Sequence, residues 1–174
     1  VDPSSSGGGS VCWERRFDRE TLRWELDHFL EWGIEARREE LLSEEIEAEF
    51  VEEFGRLVDD LLELPQTLVL RDYQSRNLMH KRQPGSESPW VVIDFQDALV
   101  GPFVYDLVAL LRDSYIELPP EVLEAGLGAY LAAGRAAGLP WCYDEAAEDY
   151  DSATVREAFF RQTVQRKLKD AGRF

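Results

Sequence analysis

The sequence predicts an α+β fold that is predominantly helical, with one small β element near its centre. Apolar residues recur at spacings of three and four through most of the 174 residues, the period of helices buried along one face. Two short runs, 67–70 and 90–93, are instead continuously apolar and rich in β-branched residues, as strands are. Strands and helices do not alternate along the chain, which disfavours a doubly wound sheet.

Residues 1–10, Val-Asp-Pro-Ser-Ser-Ser-Gly-Gly-Gly-Ser, read as a flexible linker or an expression scar. Asp18 is placed as a helix N-cap, with Phe17 and Leu22 at hydrophobic-staple spacing. Leu22, Leu26, Phe29 and Leu30 form one apolar face, and the helix is expected to end near Trp32-Gly33. A second helix spans about 43–62, with Leu42, Ile46, Phe50, Phe54, Leu57 and Leu61 in register. Residues 39–53 hold eight Glu and no basic residue; this run reads as a solvated helix face. Pro65 stops that helix. Residues 67–70 and 90–93 are expected as buried strands, with Leu78-Met79-His80 between them as a third. Residues 83–89 form a turn-rich loop. Gly101-Pro102 is expected to break the chain. A helix begins near Tyr105-Asp106, another opens at Pro119-Pro120 and stops at Gly138 and Pro140. The last helix starts at Ser152, with Val155, Phe159, Val164 and Leu168 on one side.

Composition narrows the function. Lys plus Arg is 19 and Asp plus Glu is 35, a formal net charge of −16. Such a balance repels nucleic acid and anionic membranes. Arg161, Arg166, Lys167 and Lys169 read as cations complementing a helix end. The acidic balance reads as a soluble surface, with an acidic mouth for cationic substrates as the alternative. No apolar run approaches the ~20 residues of a membrane helix, and no signal peptide is visible, so a cytoplasmic location is expected. Cys12 and Cys142 are expected as thiols rather than a bridge. His28 and His80 lack zinc-spaced partners and read as structural or solvated. No phosphate loop of the G-x-x-x-x-G-K type exists.

Two segments carry chemistry: Leu-Arg-Asp72-Tyr-Gln-Ser-Arg-Asn77-Leu-Met and Val-Val-Ile-Asp94-Phe-Gln-Asp97-Ala. Each begins as an apolar strand and ends in oxygen ligands. An Asp followed five positions later by Asn, then a strand ending in Asp-Phe, is the pattern of kinase-like phosphotransferases. Asp72 would accept or orient the proton of an acceptor hydroxyl. Asn77 and Asp94 offer the hard oxygens that Mg²⁺ prefers. Pairing the strand after Asn77 with the strand before Asp94 would bring all three together. Arg71 and Arg76 flank the loop and can touch phosphate or structural carboxylates.

With Tyr105-Asp106-Leu-Val-Ala-Leu-Leu-Arg-Asp113 and Val164-Gln-Arg-Lys-Leu-Lys added, the stretch from about Phe17 to Phe174 resembles the C-terminal lobe of the aminoglycoside phosphotransferase family, within the kinase-like superfamily. It is most similar to the bacterial cell-wall sugar kinases that phosphorylate the anomeric hydroxyl of N-acetylmuramate or N-acetylglucosamine. The resemblance implies the C-terminal lobe of a protein-kinase-like fold, with Asp72 as base, Asn77 and Asp94 as magnesium ligands, Asp106 as a structural anchor, and ATP as phosphoryl donor. Arg71, Gln74, Arg76, Asp97 and Asp113 are weaker candidates for phosphate or acceptor contacts. It implies a small-molecule partner, an amino sugar first, with an aminoglycoside, choline or another small alcohol as alternatives; a non-catalytic scaffold is the alternative of another class. Two positions depart from the family pattern, Leu70 and Gln74, where such kinases often carry His. The lysines, Lys81, Lys167 and Lys169, all follow Asp72, so the strand lysine that grips ATP has no counterpart before it. The expectation is therefore a C-lobe alone over 11–174, an excised or truncated module whose N-terminal lobe is absent or supplied separately.

Overall fold

The computed structural model describes residues 11–39, 41–81, 89–142 and 152–173. The expected linker 1–10 and most of the expected loop at 83–89 lie outside them. The described chain is mainly helical, with two small antiparallel sheets of two strands each.

A single turn, α1 (Val11–Glu14), leads into an extended segment that docks on a strand further along. There Phe17 N–H donates to Val100 O at 2.9 Å and Val100 N–H to Arg15 O at 2.9 Å. Asp18 caps α2 (Arg19–His28), its carboxylate accepting from Thr21 N–H at 2.7 Å. The helix does not end near Trp32-Gly33 as expected. It widens into a π-helical stretch, Phe29–Glu35, and continues as α3 (Ala36–Arg38) to a left-handed Glu39. Gly33 is therefore not a stop. A Cβ there would lie 2.6 Å from the Phe29 ring, so its absence makes room for that ring inside the wide turn.

Ser43 caps α4 (Glu44–Glu63). Its second half buries Phe54, Val58 and Leu61, whereas Ile46, expected on the core face, is 45% exposed. The glutamates of the acidic run that are described face solvent. After Pro65, β1 (Gln66–Val69) pairs antiparallel with β4 (Leu99–Pro102), Val69 opposite Leu99. Gly101-Pro102 thus ends a strand rather than simply breaking the chain. The expected hairpin forms between β2 (Leu78–His80) and β3 (Trp90–Val92), with Leu78 opposite Val92. It is not buried: Trp90 is 56% and Ile93 39% exposed.

Helices α5 (Tyr105–Leu111), α6 (Pro120–Ala136) and α7 (Ser152–Arg173) complete the fold. Pro120 occupies the first turn of α6, and Gly138 ends it at φ 69, a left-handed position natural to glycine. The face of α7 differs from the expected one. Val164 is 50% exposed, and the buried stripe runs from Val155 and Phe159 through Gln162 and Gln165 to Arg166 and Lys169. The main core joins α2, α4, β1, β4 and α5 through Leu22, Leu26, Val58, Leu61, Val69 and Tyr105. Cys12 and Cys142 are thiols. No helix among the described residues is long and apolar enough to cross a membrane.

Candidate active site

The segment from Leu70 to Asn77 leaves β1 and folds back on itself. Arg71 takes a left-handed backbone, φ 69, which a side chain with a Cβ adopts only under constraint. Asp106, in the first turn of α5, supplies the constraint by accepting from Leu70 N–H at 2.7 Å and Arg71 N–H at 3.1 Å. Burial raises the Asp106 carboxyl above its ordinary range, outweighing those two hydrogen bonds and the charge of Arg166; the nearby Asp72 pushes the same way as burial.

Asp72 follows. Its N–H donates to Leu70 O and its carbonyl accepts from Gln74 N–H, both at 2.9 Å. Among the described residues its carboxylate makes no hydrogen bond or ion pair, while it borders a 70 Å³ cavity with Gln74, Tyr115, Arg166 and Lys169. A short 3₁₀ turn, Ser75–Asn77, closes the loop. Asp113 braces that turn, accepting from Ser75 N–H at 2.8 Å and Ser75 Oγ at 2.6 Å, and from Tyr115 N–H at 2.8 Å.

Asn77 is the junction of the site. Its Nδ2 donates to Asp72 O at 2.8 Å and approaches Asp94 Oδ2 at 3.3 Å. Its backbone carbonyl accepts from Ile93 N–H at 3.0 Å, continuing the β2–β3 ladder to the residue before Asp94. Asp94 is itself left-handed, φ 62, and its Oδ1 accepts from Gln96 Nε2 at 2.7 Å. Asp72, Asn77 and Asp94 are thus brought to one corner. Because Asn77 spends its Nδ2 on Asp72 and Asp94, its Oδ1 is turned to other partners, and the Asp94 oxygens, each accepting one hydrogen bond, keep a lone pair apiece to meet a cation. No group of three or more His, Cys, Asp or Glu suited to a metal occurs among the described residues. Two protein oxygens fit Mg²⁺, which keeps waters and takes phosphate oxygens for the remainder of its octahedron.

A model of the phosphotransferase enzyme family matches residues 7–141. The chain belongs to that family. Curated relatives include the N-acetylmuramate/N-acetylglucosamine kinases of Neisseria meningitidis serogroup B, 38% identical over 91% of this chain, and of Pseudomonas putida, 35% identical over 91%. A Pseudomonas aeruginosa relative of the same name is 38% identical over 71% of the chain. The chain spans less than half the length of these relatives: 44%, 43% and 35%.

Within this phosphotransferase-family chain the weaker candidates separate. Gln74 borders the Asp72 cavity. Arg71 turns its guanidinium away, toward the Phe17 ring and Glu25 Oε1 at 3.4 Å. Arg76 lies over the Tyr115 ring at 4.4 Å. Asp97 pairs with Arg15 at 3.5 Å on the surface. Asp113, expected on the acceptor side, has Oδ2 engaged by Ser75 of the loop it braces and Oδ1 by Tyr115 N–H.

Sequence reasoning missed the contribution of α7. Arg166 and Lys169, taken as helix-end cations, are 4% and 5% exposed. Lys169 Nζ sits 2.9 Å from Glu25 Oε1 and 3.0 Å from Tyr105 OH; Gln165 Nε2 donates to Glu25 Oε2 at 2.8 Å. Burial opposes both cations, but Tyr105 and Glu25 lift Lys169 above its ordinary value; Tyr105, Asp170, Asp72 and Glu25 do so for Arg166. A signal existed: residues 162, 165, 166 and 169 continue the three–four spacing begun by Val155 and Phe159.

Proposed function

We propose that this chain is the catalytic and acceptor-binding lobe of an ATP-dependent phosphotransferase that moves the γ-phosphoryl group to a hydroxyl of an amino sugar, N-acetylmuramate or N-acetylglucosamine. The observation that carries the reading is Asn77, whose amide nitrogen ties the Asp72 backbone to the Asp94 carboxylate. The relatives' names support the acceptor class. The left-handed backbones at Arg71 and Asp94 favour an enzyme over a passive scaffold, since such strain persists where a site needs it.

Asp72 borders the cavity, and its carboxylate has no hydrogen-bond or ion-pair partner among the described residues. An acceptor hydroxyl placed there would pass its proton to that carboxylate as its oxygen bonds to the γ-phosphorus. The bond from that phosphorus to the β–γ bridging oxygen breaks, and the electron pair leaves with ADP. Asn77 and Asp94 would hold Mg²⁺, which neutralises phosphate charge when bound. Asp106 and Asp113 keep the loop in place from two sides. Residues 11–174 form the lobe in this reading, a separate N-terminal lobe grips ATP, and the setting is cytoplasmic.

The test is a substrate panel on the full-length protein containing this chain, with Asp72→Ala beside the wild type. Phosphorylation of the amino sugars, lowered about 10²–10⁴-fold or more by the substitution, is the expected result. Undiminished turnover refutes the base assignment, and preference for aminoglycosides or choline refutes the acceptor.

A further inference from the structure

Arg71 immediately precedes Asp72, and each of its polar groups is held by a different helix. Its N–H goes to Asp106 of α5, its carbonyl oxygen accepts from Arg166 Nη1 of α7 at 3.1 Å, and its guanidinium faces Glu25 of α2. A left-handed non-glycine backbone persists only when its surroundings over-determine it, and these three ties are that surrounding. Of them, the one from Arg166 is the least explained by packing alone. Burying a guanidinium to 4% exposure is costly, and its one direct hydrogen bond among the described residues goes to a backbone oxygen of the loop. Its Cζ lies 5.3 Å from the centre of the Tyr105 ring, a contact that orients it without accepting from its N–H donors. It borders the same cavity as Asp72.

We propose that Arg166 is a positioning residue for the transfer reaction. By holding the Arg71 carbonyl it fixes the turn that aims the Asp72 carboxylate into the cavity. Arg166 thus acts through Arg71 rather than on the substrate. This rests on the reading of Asp72 as base. The ties to Asp106 and Glu25 hold the other two groups of Arg71, so without Arg166 the peptide between Arg71 and Asp72 is held only by the bond from Asp72 N–H to Leu70 O two residues back, which resists its rotation weakly. That rotation would swing Asp72 while leaving the acceptor pocket in place. A misplacement of about 1 Å costs a rate on the order of 10²-fold.

The experiment compares wild type, Arg166→Met and Arg166→Lys in the full-length protein, with Arg161→Met as a surface control on the same helix. Among the described residues Arg161 pairs with Asp60 and Glu157 at the surface. Methionine keeps the stem and removes the donors; lysine restores one donor and the charge. The expected result is a kcat lowered roughly 10²-fold by Arg166→Met with KM within about twofold, partial recovery in Arg166→Lys, and no change in Arg161→Met. Amide hydrogen exchange gives a second readout: the amides of residues 72–74 should exchange faster in Arg166→Met while those of α7 hold their protection. An unchanged kcat in a folded Arg166→Met overturns the proposal. So does a loss of protection spread evenly over α7, which marks a merely structural residue. If Arg166→Met fails to fold, Arg166→Lys decides by the same two measurements. If wild type itself transfers no phosphoryl group, the functional reading fails, and exchange at 72–74 alone still decides whether Arg166 holds the loop.

Discussion

Asp106 and Asp113 each hold backbone of the 70–77 segment, yet their proton affinities move in opposite directions. For Asp113, burial pushes the carboxyl up, but the Ser75 hydroxyl, the Tyr115 and Ser75 N–H groups and the charge of Arg166 outweigh it, and the net shift is downward. The folded state then binds this proton less readily than the unfolded chain. Its stabilisation is complete above the ordinary aspartate range and is lost as pH falls through the folded value. Asp106, raised chiefly by burial, contributes with the opposite sign: its share is present at low pH and lost as pH rises through its folded value. Acid titration of the thermal midpoint should therefore show a loss below the usual aspartate range that Asp113→Asn flattens; an identical acid limb in the variant removes Asp113 from the account. The grouping of Asp72, Asn77 and Asp94 was legible because their spacing and strand context are local. The brace of Asp113 on the loop was not legible, because its partner Ser75 lies 38 positions away.

The helices were legible at their ends and less so in their paths. Asp18, Ser43, Pro120 and Gly138 mark boundaries through local chemistry, and the structure uses all four. The continuation past Gly33 was hidden because a glycine reads as a stop until the Phe29 ring beside it is seen. The β1–β4 pair was hidden because its partners are about 30 positions apart and Gly-Pro resembles a break. Where α7 crosses the end of α2, a Cβ on Gly172 would lie 2.8 Å from His28 O and 2.9 Å from Phe29 N. Backbone atoms do not step aside as side chains do. Gly172→Ala should thus lower stability by about 1–3 kcal/mol. Gly55→Ala, in α4 with nothing within 4 Å of its new methyl, should raise it by about 0.5–1 kcal/mol. Urea unfolding of the two variants checks the pair; equal effects would mean α7 does not approach α2 this closely.

Across the whole molecule, a buried polar cluster replaces apolar packing where α2, α5, α7 and the loop meet. Glu25, 2% exposed, is shared by Lys169, Gln165 and Arg71. Lys169→Met leaves that carboxylate short of its nearest cation and should cost about 3–5 kcal/mol in chemical denaturation. Adding Glu25→Gln should recover part of the loss, since the pair is coupled; strict additivity would show that the two charges act separately. At the same scale, the chain as it stands has no lysine ahead of Asp72. In a coupled ADP-release assay these 174 residues alone should turn over little or no ATP against amino sugars, and robust turnover would overturn the division into lobes. The sequence by itself determined the helix-rich class, the caps, the family and the three oxygen-bearing residues, because each is written in spacing over a few positions. Only the tertiary structure decided which charges are buried, that β4 pairs with β1, and that three helices converge on Arg71. Those facts depend on contacts between residues distant in the chain, whose burial no local pattern encodes.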